Sequence, residues 1–322
     1  MRELMFQEDA GQRLDKYLQK YLKLAPKSFL YRMLRKKNIV LNGKKADGSE
    51  KLKQGDVIRL YLSDETLEKF REEDRSYPVW PDLEIVYEDR QVLMVNKPAG
   101  MLSQKAAPED VSLNEYLVGY LLAGGQVTRE SLAGFTPGVC NRLDRNTSGL
   151  VIGAKTLGAA QEIGRLLKER QAGKYYLALV KGTIRRGERI RGWLMKDRKK
   201  NQVTVSREPA EGGAPIETAY EPLASNGAMT LLKVELVTGK THQIRSHLAG
   251  TGHPLAGDGK YGDATFNRYF RERYRLNSQF LHSWKIEFPA MDAPFDALSR
   301  RTVTAEPPEL FRKILQAEGL EG

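Results

Sequence analysis

A single carboxylate stands between two arginines in Arg142-Leu143-Asp144-Arg145, and Asn146-Thr147-Ser148-Gly149 comes directly after it. These residue types make a polar loop, and the apolar run Leu150, Val151, Ile152 behind it reads as a strand. An aspartate so placed sits at the rim of a sheet and faces an anionic substrate. There it can act as a nucleophile or as a general base. For Arg-Leu-Asp-Arg alone, a surface salt bridge is the better reading. The small hydroxyl residues, the glycine and the strand behind them shift the balance to catalysis.

Other segments have residues that can complete such a site. Leu93-Met94-Val95 is strand-like and breaks at Asn96-Lys97-Pro98-Ala99-Gly100, because proline lacks a ladder donor and glycine invites a turn. The run from Leu236 to Leu248 holds a strand that turns at Gly239 into a short helix, with Thr241 as its expected N-cap and an end near Gly250. Ile244 and Leu248 share the buried stripe of that helix, so Arg245 projects from another face, where it can pair with a carboxylate across a cleft. Gly173 to Gly182 is a strand, and a helix with Ile163, Leu166 and Leu167 precedes it. Alternation puts Tyr176, Ala178 and Val180 on one face of the strand and Tyr175, Leu177 and Leu179 on the other.

Rival chemistries find little support. Cys140 is the only cysteine. No disulfide can form within the chain, and a small semi-buried residue is the better reading than a nucleophile. His242, His247 and His253 are spaced by five and six, which does not place them on one helical face, so no metal is expected. Gly257-Asp258-Gly259-Lys260-Tyr261-Gly262 formally matches a dinucleotide fingerprint, but Ala249-Gly250-Thr251-Gly252-His253-Pro254, not a strand, precedes it. A phosphate-cradling Gly-x-x-x-x-Gly-Lys-[Ser/Thr] is absent from the sequence, which counts against a transferase using a nucleotide cofactor.

The 322 residues suffice for two domains and a large core. The net charge of +11 favours a polyanionic partner. Residues 1–62 hold fifteen Lys and Arg against seven Asp and Glu, a surplus of eight out of the chain's eleven. Leu14, Tyr17, Leu18, Tyr21 and Leu22 recur at helical spacing. A second helix starts after Pro26, with Ser28 as its expected N-cap, and ends in Arg35-Lys36-Lys37. Asn42-Gly43 between short apolar runs signals a hairpin. Residues 63–82 are acidic and polar, with Pro78 and Pro81 flanking Val79-Trp80, and read as a linker that partly docks on the domain after it. Arg185 to Lys200 is a second basic segment, with Trp193 inside it; a phosphate-tracking edge and a solvated surface fit it equally well. No apolar run approaches the roughly 20 residues needed to cross a bilayer. The expected location is the cytoplasm, with no membrane association.

The Asp144 loop resembles, nearly letter for letter, the signature loop of RNA pseudouridine synthases of the RluA type. Leu93 to Gly100 resembles the first motif of that family. Leu236 to Leu248, continued by Gly-His-Pro…Gly-Asp…Tyr-Gly, resembles the third. Residues 1–62 resemble the alpha-L RNA-binding domain of a small-subunit ribosomal protein. These resemblances imply an α+β fold: a synthase domain with a mixed, mainly antiparallel sheet and a central catalytic cleft, plus a small N-terminal α+β RNA-binding domain. The implied division is 1–62 for RNA binding, 63–82 as linker, 83–306 for catalysis and 307–322 as a helical tail. The implied reaction turns uridine in RNA, above all large-subunit ribosomal RNA, into its C-glycoside isomer with one aspartate and no cofactor.

By the same resemblance Asp144 is the catalytic aspartate and Arg245 its ion-pair partner. The tyrosine of the family's Lys-x-Tyr pattern falls on Tyr176, where it can stack on the flipped base or relay a proton. Arg142 helps evict the target base, and Arg142, Arg145 and Lys174 bind substrate. Arg35, Lys36 and Lys37 contact the RNA backbone. The carboxylate can add to C1′, add to C6 of the base, or act as a base at C2′; the sequence does not choose. Asn141 stands where the family usually has histidine, so that position cannot titrate here. Transfer RNA as the substrate, and a non-catalytic assembly factor on the same fold, are the alternatives. The chain is expected to act as a monomer.

Overall fold

The structure, a computed structural model, describes residues 1–6, 11–70, 77–197, 202–209 and 211–321. The N-terminal module contains β1 (Arg2–Met5), α1 (Leu14–Tyr21), α2 (Lys27–Arg35), β2 (Ile39–Leu41), β3 (Lys44–Lys45) and β4 (Val57–Leu60), its strands forming one sheet in the order β1-β4-β2-β3. The Asn-Gly hairpin forms between β2 and β3. Asn42 and Gly43 both take positive φ, 50° and 74°, which matches the right-handed twist of the paired strands. Leu14, Leu18, Leu30, Leu34, Ile39 and Ile58 close one buried core under the helices.

One local expectation is corrected here, and two elements are added to the pattern. Strand β1 escapes the sequence pattern and forms the sheet edge beside β4. Pro26, not Ser28, takes the N-cap position of α2, because proline there costs no helical donor. The stretch read as linker holds α3 (Asp64–Phe70), whose Leu67 and Phe70 join the preceding core rather than the following one. An apolar pair one turn apart marks this helix, hidden among acidic neighbours.

The larger body is a mixed sheet. Its elements are β5 (Ile85–Glu88), β6 (Val92–Lys97), α4 (Leu113–Ala123), α5 (Arg129–Gly134), β7 (Gly138–Val139), β8 (Ser148–Ala154), α6 (Leu157–Lys168), β9 (Gly173–Lys181), β10 (Glu188–Asp197), β11 (Gln202–Ser206), β12 (Ala214–Ser225), β13 (Met229–Leu236), α7 (Gln243–Gly250), α8 (Ala264–Tyr274), β14 (Leu281–Glu287), β15 (Thr302–Thr304) and α9 (Glu309–Ala317). The strand order is β11-β10-β12-β13-β9-β14-β8-β6-β5, with β15 on β14 and β7 on β8. Among the described pairs only β8 and β14 run parallel; the others are antiparallel.

Strand alternation divides the core into two faces. Val95, Val151, Tyr176, Ala178, Val180 and Val234 meet α4 and α7 through Leu117, Leu121, Ile244 and Leu248. On the opposite face Leu150 and Ile152 meet Ile163 and Leu166 of α6, while Leu177 and Leu179 meet α8 and α9. The tail helix α9 is therefore part of the body: Phe311 stacks on Phe280 at 3.8 Å, and Ile314 and Leu315 are buried.

Gly149 shows why the signature loop ends in glycine. Its φ is +111°, and a Cβ there would lie 2.2 Å from the Ser283 carbonyl oxygen of the neighbouring strand. Only glycine lets β8 begin so close to β14. Asp144 lies four residues past Cys140, in the loop between β7 and β8 that leads into this crossing.

Candidate active site

The Asp144 loop is tied down from three sides. Asp144 accepts from the Thr147 N–H through its own carbonyl (3.0 Å), closing a turn. Ser103 Oγ accepts from the Leu143 N–H and donates to the Leu143 carbonyl, both at 3.0 Å. The Arg145 carbonyl accepts from the Gly100 N–H (2.9 Å) and from Lys97 Nζ (3.1 Å). Lys97 also donates to the carbonyls of Pro98 and Met101, each at 2.8 Å, and is fully buried. Burial pulls its pKa down to about 7, against the opposing attraction of Asp144. The sharp Asn-Lys-Pro-Ala-Gly break thus has a purpose: with Met101 it turns two carbonyls onto one ammonium and one N–H onto the loop beside it.

Asn141 anchors the start of the loop. Its side chain donates to the Leu150 carbonyl (3.3 Å) and accepts from the Ile152 N–H (2.7 Å), mimicking one more strand rung on β8. Asparagine at this position therefore holds backbone, a task that needs no titratable group.

The other half of the site comes from α7 and the loop after it. Arg245 Nη1 donates to Asp144 Oδ2 at 2.9 Å. Its Nε and Nη2 donate to the two oxygens of Asp258 at 2.7 and 2.8 Å. Asp258 is fully buried, and its Oδ1 also accepts from the Lys260 and Tyr261 N–H groups. Burial works to raise its pKa, but the Arg245 hydrogen bonds and charge and these two N–H groups carry it below the ordinary carboxylate value. Burial likewise opposes the charge of Arg245, and its two carboxylates outweigh that and raise it above normal. The ring of Tyr261 lies under the guanidinium, 5.2 Å from centroid to Cζ.

His242 faces the same carboxylate. Its Nε2 lies 3.8 Å from Asp144 Oδ2, and its Nδ1 is hydrogen-bonded to the Tyr261 hydroxyl at 2.9 Å. It takes the N-cap position of α7 in a left-handed conformation, φ 53°, in place of Thr241, which the sequence favours there. The left-handed turn is what aims the imidazole into the cleft. Burial lowers its pKa; Asp144 pulls the other way, and Arg245 and Lys260 add to the lowering.

Tyr176 completes the cavity that contains Asp144. The cavity is lined also by Arg142, Thr147, Lys240, His242 and Arg245. Tyr176 is buried on β9, and desolvation pushes its phenol up to about 12, against a hydrogen bond with Ser283. Near neutral pH it is an O–H group and a flat apolar face.

The structure thus gathers Asp144, Tyr176, Arg245 and Arg142 at one cavity. Lys174 does not line it: that ammonium lies close to Gly239, and Lys240 takes the lining position. Arg145 lines a separate, neighbouring cleft. Arg35, Lys36 and Lys37 are exposed at the end of α2. In the second basic segment, Arg189 pairs with Glu217 and Glu235 and Arg191 with Glu217, so part of its charge is already matched. Arg198, Lys199 and Lys200 lie outside the described residues. Sequence reasoning missed Lys97, Asp258 and Tyr261 as site residues. A lysine ending an apolar strand was the available signal for the first. Asp258 and Tyr261 were in view only as parts of a rejected dinucleotide fingerprint.

Residues 91–250 match the RNA pseudouridylate synthase family, and residues 12–58 match the S4 domain. The chain is 32% identical over 321 residues to the ribosomal large subunit pseudouridine synthase C of Vibrio vulnificus, covering 96% of this chain and 93% of that protein. Against the protein of the same name from Escherichia coli K12 it is 33% identical over 286 residues, covering 87% and 86%. Among solved structures, human RNA pseudouridylate synthase domain containing 4 shares the fold at a TM-score of 0.60 and 19% identity, over 74% of this chain and 94% of that one. A mixed sheet with this cleft, joined to an S4 module, defines an RNA-modifying isomerase. The chain belongs to the RNA pseudouridylate synthase family.

Proposed function

We propose that this enzyme converts uridines of large-subunit ribosomal RNA to pseudouridine, with Asp144 as the reacting carboxylate. The observation that carries this reading is the Asp144 carboxylate, partly open to the cavity and gripped by Arg245 at 2.9 Å. Both relatives described above are named for the large ribosomal subunit, which favours that RNA over transfer RNA.

The chemistry breaks the N1–C1′ bond, turns the uracil and joins C5 to C1′. Arg245, itself clamped by Asp258, holds the Asp144 carboxylate in one rotamer through its Oδ2. Asp144 then adds to C1′ or C6, or removes the C2′ proton. The Tyr176 ring offers the freed uracil an apolar face, and its protonated hydroxyl can donate to a uracil oxygen. A uridine in structured RNA reaches this cavity only when flipped out of its stack, which costs a few kcal/mol. Arg142, exposed at the rim, takes the place the base leaves. The S4 module adds backbone affinity through Arg35, Lys36 and Lys37.

Carbodiimide-adduct primer extension on unmodified large-subunit ribosomal RNA tests the reading. Wild type is expected to create new stops and Asp144→Asn none, at nearly equal RNA affinity. Appreciable turnover by Asp144→Asn would remove Asp144 from its role. Stops on transfer RNA alone would replace the substrate.

A further inference from the structure

The second cleft, of about 400 Å³, opens on the other side of the signature loop from the Asp144 cavity. Its walls carry Trp80, Tyr116, Met101 and Val111, with Arg145 and Asp110 at the edge. Trp80 stands edge-on to Tyr116, with ring centroids 5.1 Å apart and planes at 73°, which braces the indole. Yet 37% of Trp80 and 46% of Val111 remain exposed. An aromatic side chain braced on one edge and left open to water is a stacking platform without its second layer.

The polar edge suits one kind of occupant. The Arg145 guanidinium makes no hydrogen bond or ion pair among the described residues, while its backbone carbonyl is held by Gly100 and Lys97. Asp110 spends its Oδ2 on the Ala106 and Ala107 N–H groups, at 3.0 and 2.8 Å, and lies near enough to Arg145 for the two charges to attract without a direct hydrogen bond. A cation with no hydrogen-bonded side-chain partner beside a flat apolar wall matches a nucleotide: an anionic phosphate next to a base with a π face. Position narrows the choice. Arg145 directly follows Asp144, about 3.8 Å away along the chain, so whatever it grips lies beside the target nucleotide.

We propose that this cleft is a second base-binding subsite, which stacks a base adjoining the target uridine on Trp80 while Arg145 contacts its phosphate. The inference rests on Asp144 being the reacting carboxylate. It gives the enzyme a reason to prefer uridines whose neighbour can leave the helical stack, and it adds a place outside the reaction cavity where sequence context is felt. Purines, with the larger π face, are expected to fill it best.

The test uses the full chain labelled with 5-fluorotryptophan. Each of the three tryptophans carries one fluorine, and the resonance lost in Trp80→Phe is that of Trp80. A single-stranded RNA of about ten nucleotides with one central uridine is added to the Asp144→Asn protein, and saturation is followed by anisotropy of the labelled RNA. The Trp80 resonance is expected to shift, and an abasic nucleotide at one flanking position should abolish that shift. RNA that saturates the protein without moving the resonance, equal shifts with every abasic RNA, or failure of the RNA to bind would each overturn the proposal. In turnover, Trp80→Ala is expected to raise KM about ten-fold, from the loss of one base stack, with kcat nearly unchanged and Trp80→Phe restoring most of it. An unaltered KM counts against the subsite. The resonance shift needs no turnover, so a protein that stacks RNA on Trp80 but forms no pseudouridine would refute the proposed function and leave the subsite standing.

Discussion

Arg245 meets Asp258 with two nitrogens and Asp144 with one, so the carboxylate beneath the site grips the guanidinium harder than the one within it. Asp258 therefore sets where Arg245 can point, and Arg245 sets where Asp144 can point. Asp258→Asn removes the charge and one acceptor while keeping the shape. The Arg245 charge, buried and half-paired, then pulls on Asp144 alone. Breaking a buried pair of this kind costs about 3 kcal/mol or more. We expect urea denaturation to register a loss of about that size and kcat to fall by about ten- to hundred-fold, with KM for RNA little altered. A kcat unchanged at full stability loss would show that Asp258 serves folding alone.

Lys97 organises the same loop from below. Its ammonium satisfies the carbonyls of Pro98, Met101 and Arg145; the Met101 bond is buried, and the Arg145 carbonyl has a second donor in the Gly100 N–H. Lys97→Met keeps the volume, strands the buried Met101 carbonyl and takes one donor from each of the other two. Each unsatisfied group costs about 1–3 kcal/mol, and relief from burying an ammonium offsets part of the sum. A net loss of about 3 kcal/mol is expected by denaturant titration, along with a lower kcat as Asp144 loses its support. Stability equal to wild type would mean that the three carbonyls find water or other donors.

How much of this was open to inspection in the sequence depends on what each residue's neighbours reveal. The strand from Gly173 to Gly182 was legible in full, since period-two alternation assigned Tyr176 and Leu177 to the opposite faces they occupy. The Asn42-Gly43 hairpin was legible because its turn chemistry is local. The α3 helix was not, because its apolar stripe is only Leu67 and Phe70 within an acidic stretch. The N-cap of α7 was misassigned for a different reason: tertiary demand on His242, which reaches both Asp144 and Tyr261, overrides the local preference for a threonine cap. The Arg245–Asp144 meeting could be anticipated only through family resemblance. Asp258 lies beyond pattern reading altogether, since nothing in a glycine-rich loop announces that its aspartate will turn inward onto a helix.

His282 supplies a pH test of the sheet itself. It is fully buried between β14 and β8, with Nδ1 against Ser148 Oγ (2.9 Å) and Nε2 against the Ala305 carbonyl (3.0 Å). Burial lowers its pKa to about 4, partly countered by the Ala305 carbonyl. The unfolded chain holds its histidine near 6.5. Between those values the unfolded state binds more protons than the folded one, so stability falls as pH falls through that window. The full effect is about 3 kcal/mol, complete near pH 4. His282→Asn, which keeps a donor and an acceptor, should flatten this part of the stability–pH curve. If the slope between pH 6.5 and 4 is the same in both proteins, His282 does not carry it.

The S4 module makes a prediction about salt. Arg35, Lys36 and Lys37 end α2 as an exposed cluster. Cations at that helix end also complement its negative pole, so they are free to approach phosphate without a structural penalty to the module. Each phosphate contact contributes about 0.7–0.9 to the slope of log affinity against log salt concentration. Replacing all three residues by glutamine is expected to reduce that slope by about 2, weaken binding at low salt most, and leave kcat on saturating RNA within about two-fold. The slope is measured by filter binding across a salt series. An undiminished slope would place the RNA backbone on another face of the module, and a collapse of kcat at saturation would mean that the cluster positions the target uridine rather than merely holding the RNA.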